Sequence, residues 1–116
     1  MSIERVDTDK RMSQVVIHGD TIYLAGQVAG NDPGAPVAQQ TREVLGHIQT
    51  LLEKAGSDKS KLLSATIYLP NISDFEAMNA VWDDWVTPGQ APARACVEAR
   101  LAHPDLRVEI SVVASR

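Results

Sequence analysis

The chain has 116 residues, 44% of them hydrophobic but only 4% aromatic, and a formal net charge of -4 from 11 basic and 15 acidic side chains. This length predicts one domain over residues 1–116, with a core built mainly from aliphatic side chains. An acidic balance without a basic stripe argues against nucleic-acid binding, the single cysteine excludes an intrachain disulfide, and no apolar run approaches the ~18 residues of a membrane span.

The opening MSIERVDTDKRM holds no apolar signal segment, so a cytoplasmic location is expected. Ile3 to Val6 is predicted to form a short strand. Val15 to His18 and Thr21 to Leu24 are β-rich and flank Gly19-Asp20, a two-residue hairpin turn. Ala25-Gly26-Gln27 extends the second strand. A glycine there weakens the strand unless a bulge is needed or something approaches the backbone. After the loop GNDPGAP, the spacing predicts a helix from Val37 to Ala55. Its apolar stripe is Val37, Thr41, Val44, Ile48, Leu51, Leu52 and Ala55, and Gly56 caps it.

Leu62 to Leu69 alternates, with Leu63, Ala65, Ile67 and Leu69 on one face and Ser64, Thr66 and Tyr68 on the other. Ser73 to Val86 reads as a second helix, opened by a Ser73/Glu76 capping box. Phe75, Met78, Trp82 and Val86 form its stripe, interrupted by Asn79. A buried amide needs partners, so Asn79 either bonds backbone or borders a polar pocket. PARACVEARL, from Pro92 to Leu101, alternates next. Ala93, Ala95, Val97, Ala99 and Leu101 are expected in the core, with Arg94, Cys96, Glu98 and Arg100 opposite. A last strand over Leu106 to Ala114 presents Arg107, Glu109 and Ser111 on its polar face.

The order β-β-β-α-β-α-β-β predicts two helices covering one face of a single sheet. The uncovered polar face is either wet or the inner surface of a symmetric oligomer. Metal-binding and phosphate-binding motifs are absent, and His18, His47 and His103 fall in turns and flanks. Cys96 has no histidine partner in the sequence and is expected to pack rather than react. Arg94 suits a carboxylate, which a guanidinium binds through two parallel hydrogen bonds. Glu109, on another strand, either shares a cavity with Arg94 or pairs with it within the sheet.

PARACVEARL followed by LRVEISVVA, together with GDTIYLAGQVA, the helix from Val37 and DFEAMNAVWDDWV, resembles the RidA/YjgF family. The resemblance covers essentially the whole chain and is strongest to the short YoaB-like branch. It implies an α+β, Bacillus chorismate mutase-like fold: a mixed β-sheet with two helices on one face. It also implies a homotrimer with a central β-barrel and ligand pockets between subunits. The implied activity is hydrolysis of 2-imino and 2-enamino acids to 2-oxo acids and ammonia, with no metal or organic cofactor. The implied partners are other copies of the chain and a small carboxylate-bearing imine or enamine, with no nucleic acid and no membrane.

Carried over by position, Arg94 grips the substrate carboxylate and Glu109 positions the hydrolytic water. Cys96 lines the pocket through its backbone, Gly26 brings its backbone to the ligand, and Asn79 stands near the site. Met12 replaces the tyrosine of the family's GPYSQAV-type segment. Ala25 stands where many members have serine, and Ala91 where an aromatic often precedes PAR. Met12, Ala25 and Ala91 suit a more apolar substrate side chain. The alternative function is a noncatalytic trimer that binds a small carboxylate or acts as a chaperone-like partner.

Overall fold

The structure is a computed structural model describing residues 1–116. Its strands are β1 (Ile3–Thr8), β2 (Ser13–His18), β3 (Thr21–Leu24), β4 (Gln27–Val28), β5 (Leu62–Leu69), β6 (Ala93–Glu98) and β7 (Glu109–Ser115). Its helices are α1 (Val37–Lys54) and α2 (Phe75–Trp85). The strands join in one mixed sheet, β1-β2-β3-β7-β5-β6, and β4 also pairs with β7. Every pairing is antiparallel except β5 with β6.

Hydrophobic periodicity explains most of this. All seven residues of the α1 stripe are buried, and Gly56 follows the helix at φ 80, the left-handed geometry of a helix-ending glycine. Val15, Ile17, Ile22, Leu24, Ile110, Val112 and Ala114 fill the same core from the sheet. Gly19, at φ 61, turns the β2–β3 hairpin. No helix is long and apolar enough to cross a membrane.

Four expectations from the sequence are corrected. The strand through Ala25-Gly26-Gln27 breaks after Leu24, and Gln27 and Val28 pair instead with Ile110 and Glu109. A register shift between Leu62 and Ser64 buries Leu62 and leaves Leu63 half-exposed; a bulge of this kind breaks strict alternation. The Ser73/Glu76 capping box does not form. Asn71 takes the polar role, its Oδ1 accepting from the Ser73 N–H at 3.0 Å and the Ser73 hydroxyl at 2.7 Å, and a 3₁₀ turn over Ile72–Asp74 precedes α2.

The fourth correction reverses the faces of β6. Its parallel register pairs Arg94 with Ala65 and Cys96 with Ile67, so Arg94 and Cys96 face the helices. Ala93, Ala95 and Val97 are exposed on the opposite face, and Ala99 and Leu101 lie beyond the strand. Alanine carries too little apolar surface to dictate a face. An arginine on an edge strand, by contrast, can lay its stem on apolar neighbours while its head reaches water. The uncovered face is therefore less polar than expected. One row across it runs Arg5, Val16, Tyr23, Val113, Ser64 and Ala93; another runs Glu109, Tyr68 and Val97.

A single buried amide ties α1 to the start of β7. Gln40 is fully buried, and its Nε2 donates to the carbonyls of Ala35 (3.0 Å) and Asp105 (2.9 Å). Its Oε1 accepts the Arg107 N–H at 2.8 Å. Gln40→Leu would strand the Arg107 N–H, at about 1–3 kcal/mol for an unsatisfied group, while the Asp105 carbonyl would keep the Gly34 N–H at 2.9 Å. We expect a loss of about 1–3 kcal/mol in urea unfolding, whereas Gln39→Leu, on the exposed side of the helix, changes stability little.

Candidate functional site

Arg94 stands on β6 beside one stripe of α2. Its guanidinium carbon lies 5.9 Å from the Phe75 ring centre and 5.4 Å from that of Trp82. Cation–π contacts of this kind are worth about 0.5–1 kcal/mol each where solvent has access. Phe75, Asn79 and Trp82 share this stripe because positions four and three apart neighbour one another on a helix. No acidic residue of the chain pairs with Arg94; the ion pairs are His47–Glu43, Lys54–Asp7, His103–Asp105 and Arg116–Glu4. Between the two aromatic residues, Asn79 Oδ1 is buried without any hydrogen-bond partner. Cys96 is half-buried against the core. Burial pushes its thiol above the ordinary range, and the nearby Arg94 charge only partly offsets this.

Glu109 lies on the other face of the sheet, opposite Tyr68 on β5 and Val28 on β4. Its carboxylate is pressed against Gly26: a Cβ built there would overlap Oε2 and stand 2.9 Å from Cδ. Glycine leaves room for this close approach, which accounts for its placement beside a strand. A cavity of about 330 Å³ opens beside Glu109, lined by Tyr68, Ser111, Arg100 and Leu101 among others.

Ala25 joins this second group as the neighbour of Gly26, and Met12 lies further along the segment to which Ala25 is hydrogen-bonded. The Ala25 N–H donates to the Gln14 carbonyl at 2.9 Å, two residues after Met12. Met12 is 40% exposed in the turn joining β1 to β2. Asp9 pins that turn, its Oδ1 accepting from the backbone of Arg11 (2.7 Å) and Met12 (2.9 Å). Those two N–H groups hold the Asp9 carboxyl below its usual range.

The candidate residues thus fall into two half-sites, Asn79, Arg94 and Cys96 at the β6 edge and Ala25, Gly26 and Glu109 elsewhere on the sheet, with Met12 apart in the β1–β2 turn. Within one chain the expected Arg94–Glu109 cavity is not formed, and neither is an ion pair between them. Their β5 partners, Ala65 and Tyr68, are three residues apart and face opposite ways, which is about 10 Å along a strand. Phe75 and Trp82 entered the sequence reading only as core. Arg100 appeared there only as one of an alternating polar set, with no motif to mark it.

The histidines stay outside both half-sites. His18 is exposed, His47 Nε2 hydrogen-bonds Glu43 at 2.8 Å, and His103 Nδ1 accepts the Asp105 N–H at 3.2 Å. The largest cavity, about 550 Å³, lies between α1 and α2 against Leu45, Gly46, Val81 and Trp85, and none of the candidate residues lines it.

A family model described as Endoribonuclease L-PSP matches residues 2–116. With this match and the relatives below, the chain belongs to the RidA/YjgF family. It is 46% identical to the RutC family protein YoaB of Escherichia coli over 99% of each chain. It is 31% identical to 2-iminobutanoate/2-iminopropanoate deaminase of Escherichia coli over 84% of this chain and 81% of that one. A YjgF-family crystal structure from Neisseria meningitidis superposes with a TM-score of 0.96 at 46% identity, covering 100% of this chain and 96% of the other.

Two outcomes follow from this geometry. Gly26→Ala should leave the fold intact, because only the far end of the Glu109 side chain stands in the way, and should swing the carboxylate aside. A crystal structure checks this, and adding Glu109→Asp should relieve the clash. Cys96 should alkylate slowly with iodoacetamide at neutral pH, the rate rising only above the ordinary thiol range because the thiolate is the reactive form. Arg94→Ala should push that rise to still higher pH by removing the charge that favours the thiolate.

Proposed function

We propose that this chain hydrolyses reactive 2-imino and 2-enamino acids to 2-oxo acids and ammonia. The observation that carries the reading is Arg94: a half-site built from an arginine held over two aromatic rings, with no acidic partner in its own chain. An unpaired guanidinium so placed suits a carboxylate. The deaminase named among the relatives supports the choice of substrate.

The active assembly in this reading is a homotrimer with the chorismate mutase-like arrangement, its central barrel made from the uncovered sheet faces. The separation of Arg94 and Glu109 within one chain supports a site shared between copies, with Arg94 from one subunit and Glu109 from its neighbour. The exposed Tyr23, Val97, Ala93 and Ala95 on the uncovered face fit burial in such an assembly.

In the mechanism, Arg94 holds the substrate carboxylate through two hydrogen bonds. Glu109 accepts a proton from water as the water oxygen bonds to the imine carbon. The C=N π electrons move to nitrogen, which is protonated, giving a carbinolamine. A second proton transfer expels ammonia as the C–N bond breaks and the hydroxyl oxygen loses its proton to become the carbonyl. An enamine enters by protonation at carbon to the same imine. Cys96 remains a thiol throughout and contributes through its backbone. Met12, Ala25 and Ala91 favour apolar substrate side chains.

Imino acids generated in situ by an amino-acid oxidase test the reading, with their disappearance followed in the presence of each variant. Arg94→Ala should lower kcat/KM by about 10–100-fold, the equivalent of a lost charge-assisted contact. Glu109→Gln should keep binding and lose about 10²–10⁴-fold in turnover. Decay no faster with wild type than with Arg94→Ala, across apolar and polar imino acids, would leave the noncatalytic carboxylate-binding reading instead.

Mixing the two inactive variants tests the shared site. Random reassembly should restore about one quarter of wild-type activity, because that fraction of clefts draws an intact Arg94 and an intact Glu109 from different subunits. If both residues act within one chain, mixing restores nothing.

A further inference from the structure

The Arg94 guanidinium has two unusual neighbours on α2. Phe75 and Trp82 present rings 5.9 Å and 5.4 Å from its central carbon. Between them in the helix, Asn79 hides an oxygen with no hydrogen bond at all. A buried acceptor left unpaired is costly, and such groups nearly always find a donor. On the face of β6 turned toward this stripe, the side-chain donors are the five N–H bonds of Arg94 and the weak S–H of Cys96.

We propose that Phe75, Asn79 and Trp82 together form a seat that positions Arg94 for carboxylate binding. The two rings hold the planar cation by cation–π attraction. Asn79 Oδ1 accepts one N–H as the guanidinium settles, which leaves another edge of the fork for the ligand. All three are positioning residues: they act through Arg94 rather than on the reacting atoms. This deepens the proposed function and rests on its assignment of Arg94 to the substrate carboxylate.

The seat accounts for two features together. It gives the interruption of an apolar helical stripe by Asn79 a purpose. It also shows how an arginine on an exposed edge strand can be oriented without an acidic partner, which would compete with the substrate carboxylate for the same N–H bonds. A fork held before the ligand arrives loses less conformational freedom on binding.

The test is nuclear magnetic resonance of the arginine Nε–H groups, with Arg94 assigned by its disappearance in Arg94→Lys. In the wild type the Arg94 signal should be shifted by the ring currents and slowed in exchange with water. Phe75→Leu should move it toward the free-arginine position, and Phe75→Tyr should restore it. Asn79→Leu should accelerate its exchange, while Asn79→Asp, which keeps an acceptor, should preserve the protection.

With 2-oxobutanoate as a stable carboxylate probe, Asn79→Leu should weaken binding about 10-fold and Phe75→Leu about 3-fold. In turnover, KM should rise for both while kcat stays within about two-fold. An Arg94 signal at the free-arginine position in wild type, or one unchanged by either substitution, overturns the seat. So does an equal fall in kcat accompanied by a lowered melting temperature, which marks a merely structural role. If wild type binds no 2-oxo acid, the assignment of Arg94 to a carboxylate falls, and the Nε–H signal still decides whether the seat exists.

Discussion

The parallel pairing of β6 with β5 sets the position of everything chemical in this chain. Its register places Arg94 against Ala65 and Cys96 against Ile67, on the face the helices cover. On the other side of β5, the antiparallel register with β7 pairs Tyr68 with Glu109 and sends the acid to the opposite face. Because side-chain direction alternates strictly along a strand, a slip of one residue in either pairing would exchange these faces. Sliding β6 by one position would move Arg94 away from Phe75 and Trp82. A similar slip in β7 would put the carboxylate in the core, where an unpaired charge is costly. The hydrophobic residues of β7, Ile110, Val112 and Ala114, prevent the second slip by their burial.

This dependence explains which parts of the molecule were legible in the sequence. Where alternation carried large apolar side chains, as in β7, the faces followed directly, and β2 and β3 were plain as the arms of a hairpin. The α1 stripe was equally plain, as was the glycine after it. Sequence reasoning failed on β6, because Ala93 and Ala95 contribute too little apolar surface to outweigh the register imposed by a neighbouring strand. It failed locally at Leu62 and Leu63, because a bulge leaves no periodic trace. It failed at Ser73 because Asn71, a stronger turn former, captured both the Ser73 N–H and its hydroxyl.

The candidate site was legible as a set of residues but not as a geometry. Arg94, Asn79 and Glu109 carry signals a single sequence can show: a cation in an alternating strand, an amide in an apolar stripe, an acid beside a core. The grouping of these residues is a matter of pairing partners distant in sequence, which periodicity does not encode. Phe75 and Trp82 were visible as apolar positions, yet their second role depends on which face of β6 lies over them. Gly26 was legible as an anomaly, and its cause is a carboxylate from a strand near the other end of the chain.

That contact binds the fates of two distant positions. Any side chain at residue 26 must find space now filled by the end of residue 109, and a glutamate at 109 keeps its place only while residue 26 has no side chain. Shortening the acid by one methylene would free the glycine to change, and a change there would in turn favour the shorter acid. Single substitutions at residue 26 therefore displace the carboxylate and most at residue 109 remove it, whereas paired changes open routes that single steps do not. A search for variants that keep both the fold and this carboxylate is better begun from both positions at once.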